Sequence, residues 1–309
     1  MKQRLTQSHH MDGPAFSALG ALMLIWGYNW VVMKVALQYA APFDFAALRT
    51  FFASLLLLLP VLLLRRQALR PRRIRPVLLL GFLQTACFVA LVNTALVHGG
   101  AGKSSVLVYT MPFWVALFAP LVLREHFRRS QLPALLLAFT GLLLIIAPWQ
   151  QRPELVSSLL ALGAGFMWAL SVLVAKTIPI SDTWELVALT GWQMLFGSVI
   201  LIVIDQLVPS HPIHWTGPFI AALLYNIGPG NALAWFLWLF IVTRLPASVS
   251  GLNALAIPIV GVLAGWLQLG ERPGLVEAAG MLLVFIALTL LAFSMRRPTA
   301  RKDDPATSI

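Results

Sequence analysis

The chain has 309 residues, of which 59% are hydrophobic and 11% charged, and its 22 basic against 11 acidic side chains give a net charge of +11. Soluble domains are about 45 to 50% apolar and about 25% charged, so a mean hydropathy of +0.84 sets this chain apart from them and excludes a disordered polymer. A single cysteine, Cys87, excludes a disulfide scaffold and leaves no cysteine pair for zinc.

Length alone suggests about two domains, but the natural unit of so apolar a chain is the membrane-spanning helix of about 20 residues. Apolar stretches run, in chain order, over 15–37, 43–64, 76–97, 102–123, 132–149, 155–178, 184–208, 217–243, 247–269 and 274–295. Their seams carry breakers: Pro42, the arginine-rich run 65–76, Gly99-Gly100, 124–130, Arg152-Pro153, Pro179, 209–212, 244–246 and 271–274. The pattern predicts an all-α integral membrane protein of ten transmembrane helices. The first span follows Lys2 and Arg4 like a signal peptide, yet it is too long and ends in Lys34 rather than a cleavage site, so it reads as retained.

Charge orients the spans. The N-terminus, the even-numbered loops and the C-terminus hold Lys2, Arg4, six arginines between 65 and 75, Arg124, Arg128, Arg129, Arg244, Arg296, Arg297, Arg301 and Lys302, against Lys103, Arg152 and Arg272 opposite. The positive-inside rule then puts both termini, including a tail at 296–309, on the cytoplasmic side of the membrane. The basic residues flank spans instead of forming one face, which argues against nucleic acid as a partner. Their other role is contact with lipid headgroups.

The two halves, 1–149 and 150–295, correspond. Trp26 precedes Lys34 by eight residues and Trp168 precedes Lys176 by eight, each pair in the opening span of a set of five. Thr110-Met111-Pro112 before Arg124-Glu125 matches Ala256-Ile257-Pro258 before Gly270-Glu271, and Arg49 to Ser54 aligns weakly with Gln193 to Ser198. Because five is odd, equivalent helices cross in opposite senses, an inverted repeat of the kind that places a site near the midplane and works by alternating access.

The run Trp26-Gly27-Tyr28-Asn29-Trp30-Val31-Val32-Met33-Lys34, the later Ala47-Leu48-Arg49 and the paired Pro-to-Glu segments resemble the EamA-type exporters of the drug/metabolite transporter superfamily, over nearly the whole chain. The resemblance implies ten helices in two five-helix repeats that export amino acids or related metabolites, or sometimes drugs, from bacterial cytoplasm.

Candidate site residues follow from polarity inside the spans. Eight residues on a helix rise about 12 Å and turn about 80° beyond two full turns, so Trp26 and Lys34 share a broad face with Asn29, Trp30 and Met33, as Trp168 and Lys176 do with Ser171 and Val172. In-span charge is costly and marks function; Lys34, Arg49 and Lys176 are the basic residues left once the loops are counted, with snorkelling to the headgroups as the rival reading. No carboxylate lies deep in a span, unlike the small multidrug resistance proteins of the superfamily with their buried glutamate. The expected substrate is therefore a small carboxylate-bearing or zwitterionic metabolite, bound with help from Gln84, Tyr109, Gln193, Asn226 and Asn253. Asn93 is a further polar in-span residue, and each amide is equally suited to joining helices.

Backbone breakers suggest hinges. Gly228-Pro229-Gly230, flanked by Asn226 and Asn231, interrupts the eighth span, and Pro112 and Pro258 occupy matched places. Gly261 and Gly265 predict close helix packing. Other patterns carry no function: Gly102-Lys103-Ser104 lacks the first glycine of a phosphate loop, where Val97 stands, which argues against a nucleotide. His211 and His214 lack a third metal ligand, and no catalytic motif is present. Neither cofactor, metal nor catalytic residue is expected, while lipid and a coupling proton or counter-substrate are. The alternatives are a membrane-embedded enzyme or assembly factor using His98, His126, Asp205, His211 or His214, and a nucleotide sugar, lipid precursor or drug as cargo.

Overall fold

A computed structural model describes residues 13–70, 73–122, 131–146, 152–244 and 247–296. All regular structure among them is helical. The first half contains α1 (Gly13–Ala36), α2 (Pro42–Leu64), α3 (Ile74–Leu80), α4 (Phe88–His98), α5 (Ala101–Val108), α6 (Met111–Val122) and α7 (Leu132–Ile146). The second contains α8 (Arg152–Ala175), α9 (Thr183–Leu207), α10 (Gly217–Ile227), α11 (Ala234–Arg244), α12 (Ala247–Leu269) and α13 (Leu275–Arg296). Lipid offers no hydrogen bonds, so a chain this apolar must satisfy its backbone within helices.

Eight described stretches are long and apolar enough to cross a membrane, and two shorter apolar ones, Leu132–Ile146 and Ile257–Leu269, accompany them. The protein is thus a multi-pass membrane protein, with eight such stretches plus two in place of ten of full length. The difference falls where the described helix of the fifth span stops at Ile146 and where side chains of the ninth are described only from residue 257. Lys2, Arg4, Arg72, Arg124, Glu125, His126, Arg128, Arg129 and the tail from Arg297 lie outside the described residues.

Local chemistry sets the helix ends. Pro42 opens α2, where a missing N–H costs nothing. Asp182 caps α9 by accepting from the Glu185 N–H (2.9 Å), and the Glu185 carboxylate reaches back past the cap to accept from the Ser181 N–H (2.9 Å). Two spans contain π-helical segments: Gly81–Cys87 joins α3 to α4, and Gly228–Leu233 joins α10 to α11. The second falls on the expected break at Gly228-Pro229-Gly230. The matched prolines differ: the chain turns at Tyr109-Thr110, so Pro112 sits in the first turn of α6, whereas Pro258 lies within the continuous α12.

The principal packing pairs are α2 with α9, α7 with α13, α1 with α12, and α4 with α8. Small residues let backbones meet. A Cβ on Gly280 would stand 2.7 Å from the Gly141 carbonyl oxygen, and one on Gly261 would stand 2.9 Å from Ser105 Oγ, so α13 and α12 pack tightly on α7 and α5. Gly265 has the Gly102 amide as a neighbour, 3.4 Å from an added Cβ. The close packing expected of Gly261 and Gly265 is therefore present.

Candidate functional site

A cavity of about 100 Å³ opens between α1, α2, the two π-helical segments, α8 and α9. Its volume suits a small solute together with a few waters. Trp26, Asn29 and Trp30 reach it from α1, with Met33 one turn further on. Arg49 and Thr50 enter from α2, Gln84 and Thr85 from the first π-helical segment, and Tyr109 from the turn after α5. Trp168 closes it from α8, Gln193 and Met194 from α9, and Gly230 and Asn231 from the second π-helical segment.

Arg49 dominates its electrostatics. The residue is only 4% exposed, and its guanidinium carbon lies 5.5 Å from the centroid of the Phe45 ring, within cation–π range. One Nη1–H donates to Asn226 Oδ1 (3.1 Å), while Nε is buried without a protein partner. A buried cation needs an opposing charge or acceptors to offset its desolvation. Asn29, 7% exposed, likewise has a buried Oδ1 with no partner. Two residues that line the cavity, Arg49 and Asn29, thus each carry a buried polar atom without a protein partner.

The second π-helical segment builds the adjoining wall. The Trp26 indole N–H donates to the Gly230 carbonyl (3.1 Å) and the Asn231 amide donates to the Asn226 carbonyl (2.6 Å), so backbone acceptors near the irregular stretch are satisfied by protein. Gly230 is needed for the approach, since a Cβ there would come within 3.0 Å of Asn29 Oδ1. Aromatic rings complete the enclosure. Trp26 meets Trp235 edge to face at 5.5 Å, and Trp168 meets Tyr109 at 5.3 Å and Phe88 at 5.6 Å.

Of the sequence candidates, Trp26, Asn29, Trp30, Arg49, Gln84, Tyr109, Trp168 and Gln193 line this cavity together with Gly230. Others are used elsewhere. Lys34 donates from Nζ to the carbonyls of Leu96 (2.5 Å) and Gly99 (2.8 Å), capping the C-terminal end of α4 where helix carbonyls are unpaired. Lys176 is exposed just beyond α8. Ser171 is buried and returns its hydroxyl to the Trp168 carbonyl (2.7 Å). Asn226 stands behind Arg49 as its partner, with its own amide on the Ala222 carbonyl (3.2 Å). The Asn93 amide ties α4 to the Pro42 carbonyl (3.1 Å), the interhelical role. The side chain of Asn253 lies outside the described residues.

A bundle of apolar helices around a largely apolar cavity that carries a buried arginine and several amide side chains fits a membrane transporter. The EamA-like transporter family matches the chain twice, over residues 15–147 and 155–293, and the chain belongs to that family. It is 32% identical over 277 residues to the uncharacterized transporter YvbV of Bacillus subtilis, covering 88% of this chain and 90% of that protein. A probable amino-acid metabolite efflux pump of Salmonella typhimurium is 27% identical, covering 91% and 95%. A crystal structure shares the fold with a TM-score of 0.61 at 17% identity, over 92% of this chain and 99% of its own. The Bacillus and Salmonella relatives are thus named as a transporter and a probable efflux pump.

Proposed function

We infer that the protein exports small carboxylate-bearing or zwitterionic metabolites, amino acids or their derivatives, across the bacterial inner membrane by alternating access. The observation that carries this reading is the unmatched Arg49 Nε buried at the cavity. Arg49 would hold the cargo carboxylate, Asn29 Oδ1 would accept from an ammonium or N–H group, and the Trp26, Trp30, Trp168 and Tyr109 rings would enclose the aliphatic or aromatic remainder. The small volume favours such a cargo over a nucleotide sugar or lipid precursor. The Salmonella efflux pump agrees with the class.

Ten spans in two inverted repeats, 1–149 and 150–295, supply the moving parts of this proposal. In support, the pairing of α1 with α12 corresponds to that of α8 with α5, and the pairing of α4 with α8 corresponds to that of α11 with α1, once the halves are exchanged. Both π-helical segments fall in equivalent spans, the third and the eighth. Trp26 and Trp168, and the weaker pair Arg49 and Gln193, meet at one cavity. The double family match has the same period. Gly228, Pro229 and Gly230 are the proposed hinge, with Pro112 and Pro258 as secondary bends, and the charge distribution favours cytoplasmic termini and a tail at 296–309. Export is driven by a proton or by a counter-substrate in this scheme.

Counterflow of labelled amino acids into proteoliposomes tests the reading. Accumulation should occur with wild-type protein and be lost with Arg49→Met at unchanged reconstitution. If no carboxylate-bearing or zwitterionic solute moves under any ion gradient, or if Arg49→Met transports normally, the proposal fails.

A further inference from the structure

A second concavity lies on the outside of the bundle, remote in character from the cavity around Arg49. It is a groove of about 710 Å³ floored by Leu55, Leu59 and Leu62 of α2 and walled by Trp192 of α9 and Leu224 of α10. Its lining is wholly apolar apart from the edge of the Trp192 indole, and the three leucines on its floor are exposed, at 42 to 52% of their surface. From Phe52 to Leu62 the groove follows ten residues of α2, about 15 Å at 1.5 Å per residue. That is about half of a hydrocarbon core roughly 30 Å thick, the depth of one leaflet.

The end of the groove is not apolar. The chain leaves α2 through Arg65 and Arg66 and forms a 3₁₀ turn over Arg66–Leu69, whose last residue closes the groove. The Trp192 indole N–H donates to the Leu69 carbonyl (2.6 Å), which pins this turn to α9. On its other side Trp192 lines a smaller cavity of about 40 Å³ with Arg70 and Arg73. Arginines 65, 66, 70, 73 and 75 of this stretch are exposed, and of these Arg70 and Arg73 line the small cavity beside Trp192. One carboxylate, Glu185, shares the small cavity, and it already accepts from the Ser181 N–H.

We propose that this groove is a binding site for an anionic phospholipid of the arginine-side leaflet, one acyl chain lying along α2 and the phosphate resting on Arg66, Arg70 and Arg73. A single-leaflet apolar trough ending at an arginine-rich turn, whose Leu69 carbonyl is held by Trp192, matches the two parts of such a lipid. Guanidinium forks bind phosphate oxygens in pairs, which phosphatidylcholine, with its neutralising choline, rewards less. Trp192 joins the two halves of the site, since it walls the trough and holds the arginine turn in place. The groove is also built across the chain, from α2 in the first half and α9 and α10 in the second.

The test uses the full chain, purified in detergent and stripped of lipid, with thermal unfolding followed as lipid is added. Dioleoyl-phosphatidylglycerol should raise the unfolding midpoint by several degrees more than dioleoyl-phosphatidylcholine, and native mass spectrometry should show retained phosphatidylglycerol. The triple variant Arg66→Gln, Arg70→Gln, Arg73→Gln should lose the difference between the lipids. Leu59→Trp, which fills the trough and leaves the arginines intact, should weaken retention of phosphatidylglycerol at least tenfold; size-exclusion and circular dichroism profiles matching wild type establish that both variants are folded. Equal effects of the two lipids, an undiminished preference in the triple variant, undiminished retention in Leu59→Trp, or the same stabilisation by inorganic phosphate alone would each overturn the proposal.

Discussion

Arg49 on α2 and Asn226 on α10 are joined across the two halves of the chain by a hydrogen bond of 3.1 Å between Nη1 and Oδ1. The bond satisfies one nitrogen of a buried guanidinium, whose Nε is itself buried without a protein partner. Asn226 is in turn fixed by its own amide on the Ala222 carbonyl. The pair therefore ties the orientation of the one buried cation at this cavity to the helix that leads into the second π-helical segment.

Asn226→Ala should destabilise the protein by about 1.5 to 3 kcal/mol, the range for a hydrogen bond to a charged group, because the buried Arg49 guanidinium would lose the Asn226 Oδ1 acceptor. Chemical denaturation of the reconstituted protein measures this. Transport by the variant should survive with a raised KM, since the guanidinium remains but is less well aimed. Arg49→Met should instead abolish transport with a smaller loss of stability than Asn226→Ala, because it removes the buried charge itself.

Lys34→Met separates a structural lysine from a transport lysine. The ammonium caps carbonyls at the end of α4, so its loss should cost about 1 to 3 kcal/mol in unfolding experiments and leave the cargo KM within about twofold of wild type, a factor worth only about 0.4 kcal/mol. A large KM change without a stability change would show instead that Lys34 meets the cargo.

Gly197→Ala should be among the most damaging single-methyl changes. The new Cβ would stand 2.3 Å from Thr85 Cβ and 2.6 Å from the Gly81 carbonyl oxygen, where neither neighbour is the end of a flexible chain. Overpacking of this kind costs about 1 to 3 kcal/mol, and it would push α9, with Gln193 one turn earlier, away from the first π-helical segment. Gly20→Ala is the control: apart from its own helix's adjacent backbone and its chain neighbours, nothing lies within 4 Å of its added Cβ, so melting should be unchanged or slightly raised.

Glu271 offers a test at the other end of the molecule. Its two carboxylate oxygens accept from the Ala101 N–H (2.8 Å) and the Gly102 N–H (3.1 Å), neutralising the start of α5. Glu271→Ala should lower stability by about 0.5 to 2 kcal/mol, as loss of a helix cap does, and Glu271→Gln should recover part of it. Thermal unfolding of the three proteins in parallel gives the ranking.

The sequence made some of this legible for physical reasons that differ residue by residue. Trp26, Arg49 and Gln193 stand out because a bulky amphipathic or polar side chain inside an apolar span needs a partner, and the cavity is where they converge. Lys34 carries the same signal but answers it differently, for the carbonyls at the end of α4 are a tertiary target with no mark in the local sequence. Val89, Val92, Val108 and Met194 also line the cavity, and nothing distinguishes them from ordinary core residues in a chain this apolar. The irregular segment at Gly228-Pro229-Gly230 announced itself through its breakers, whereas the one at Gly81–Cys87 contains no proline and only one glycine. What marks it is tertiary: a Cβ on Gly81 would stand 2.8 Å from the Gln193 carbonyl oxygen and 3.3 Å from the Gly197 nitrogen, a close approach that local sequence does not announce.

That proline-free segment also acts as a phase shifter. A π-helical turn accommodates an additional residue relative to the α-helix on either side, so Phe88, Val89 and Val92 are displaced in angle from where an uninterrupted ladder through Leu80 would put them. Each residue on an α-helix is worth about 100° of rotation. Deleting one residue from Gly81–Cys87 and restoring the ordinary ladder would thus swing the cavity-facing stripe of α4 by more than a quarter turn, and the Phe88 ring would leave Trp168 although neither residue had been changed.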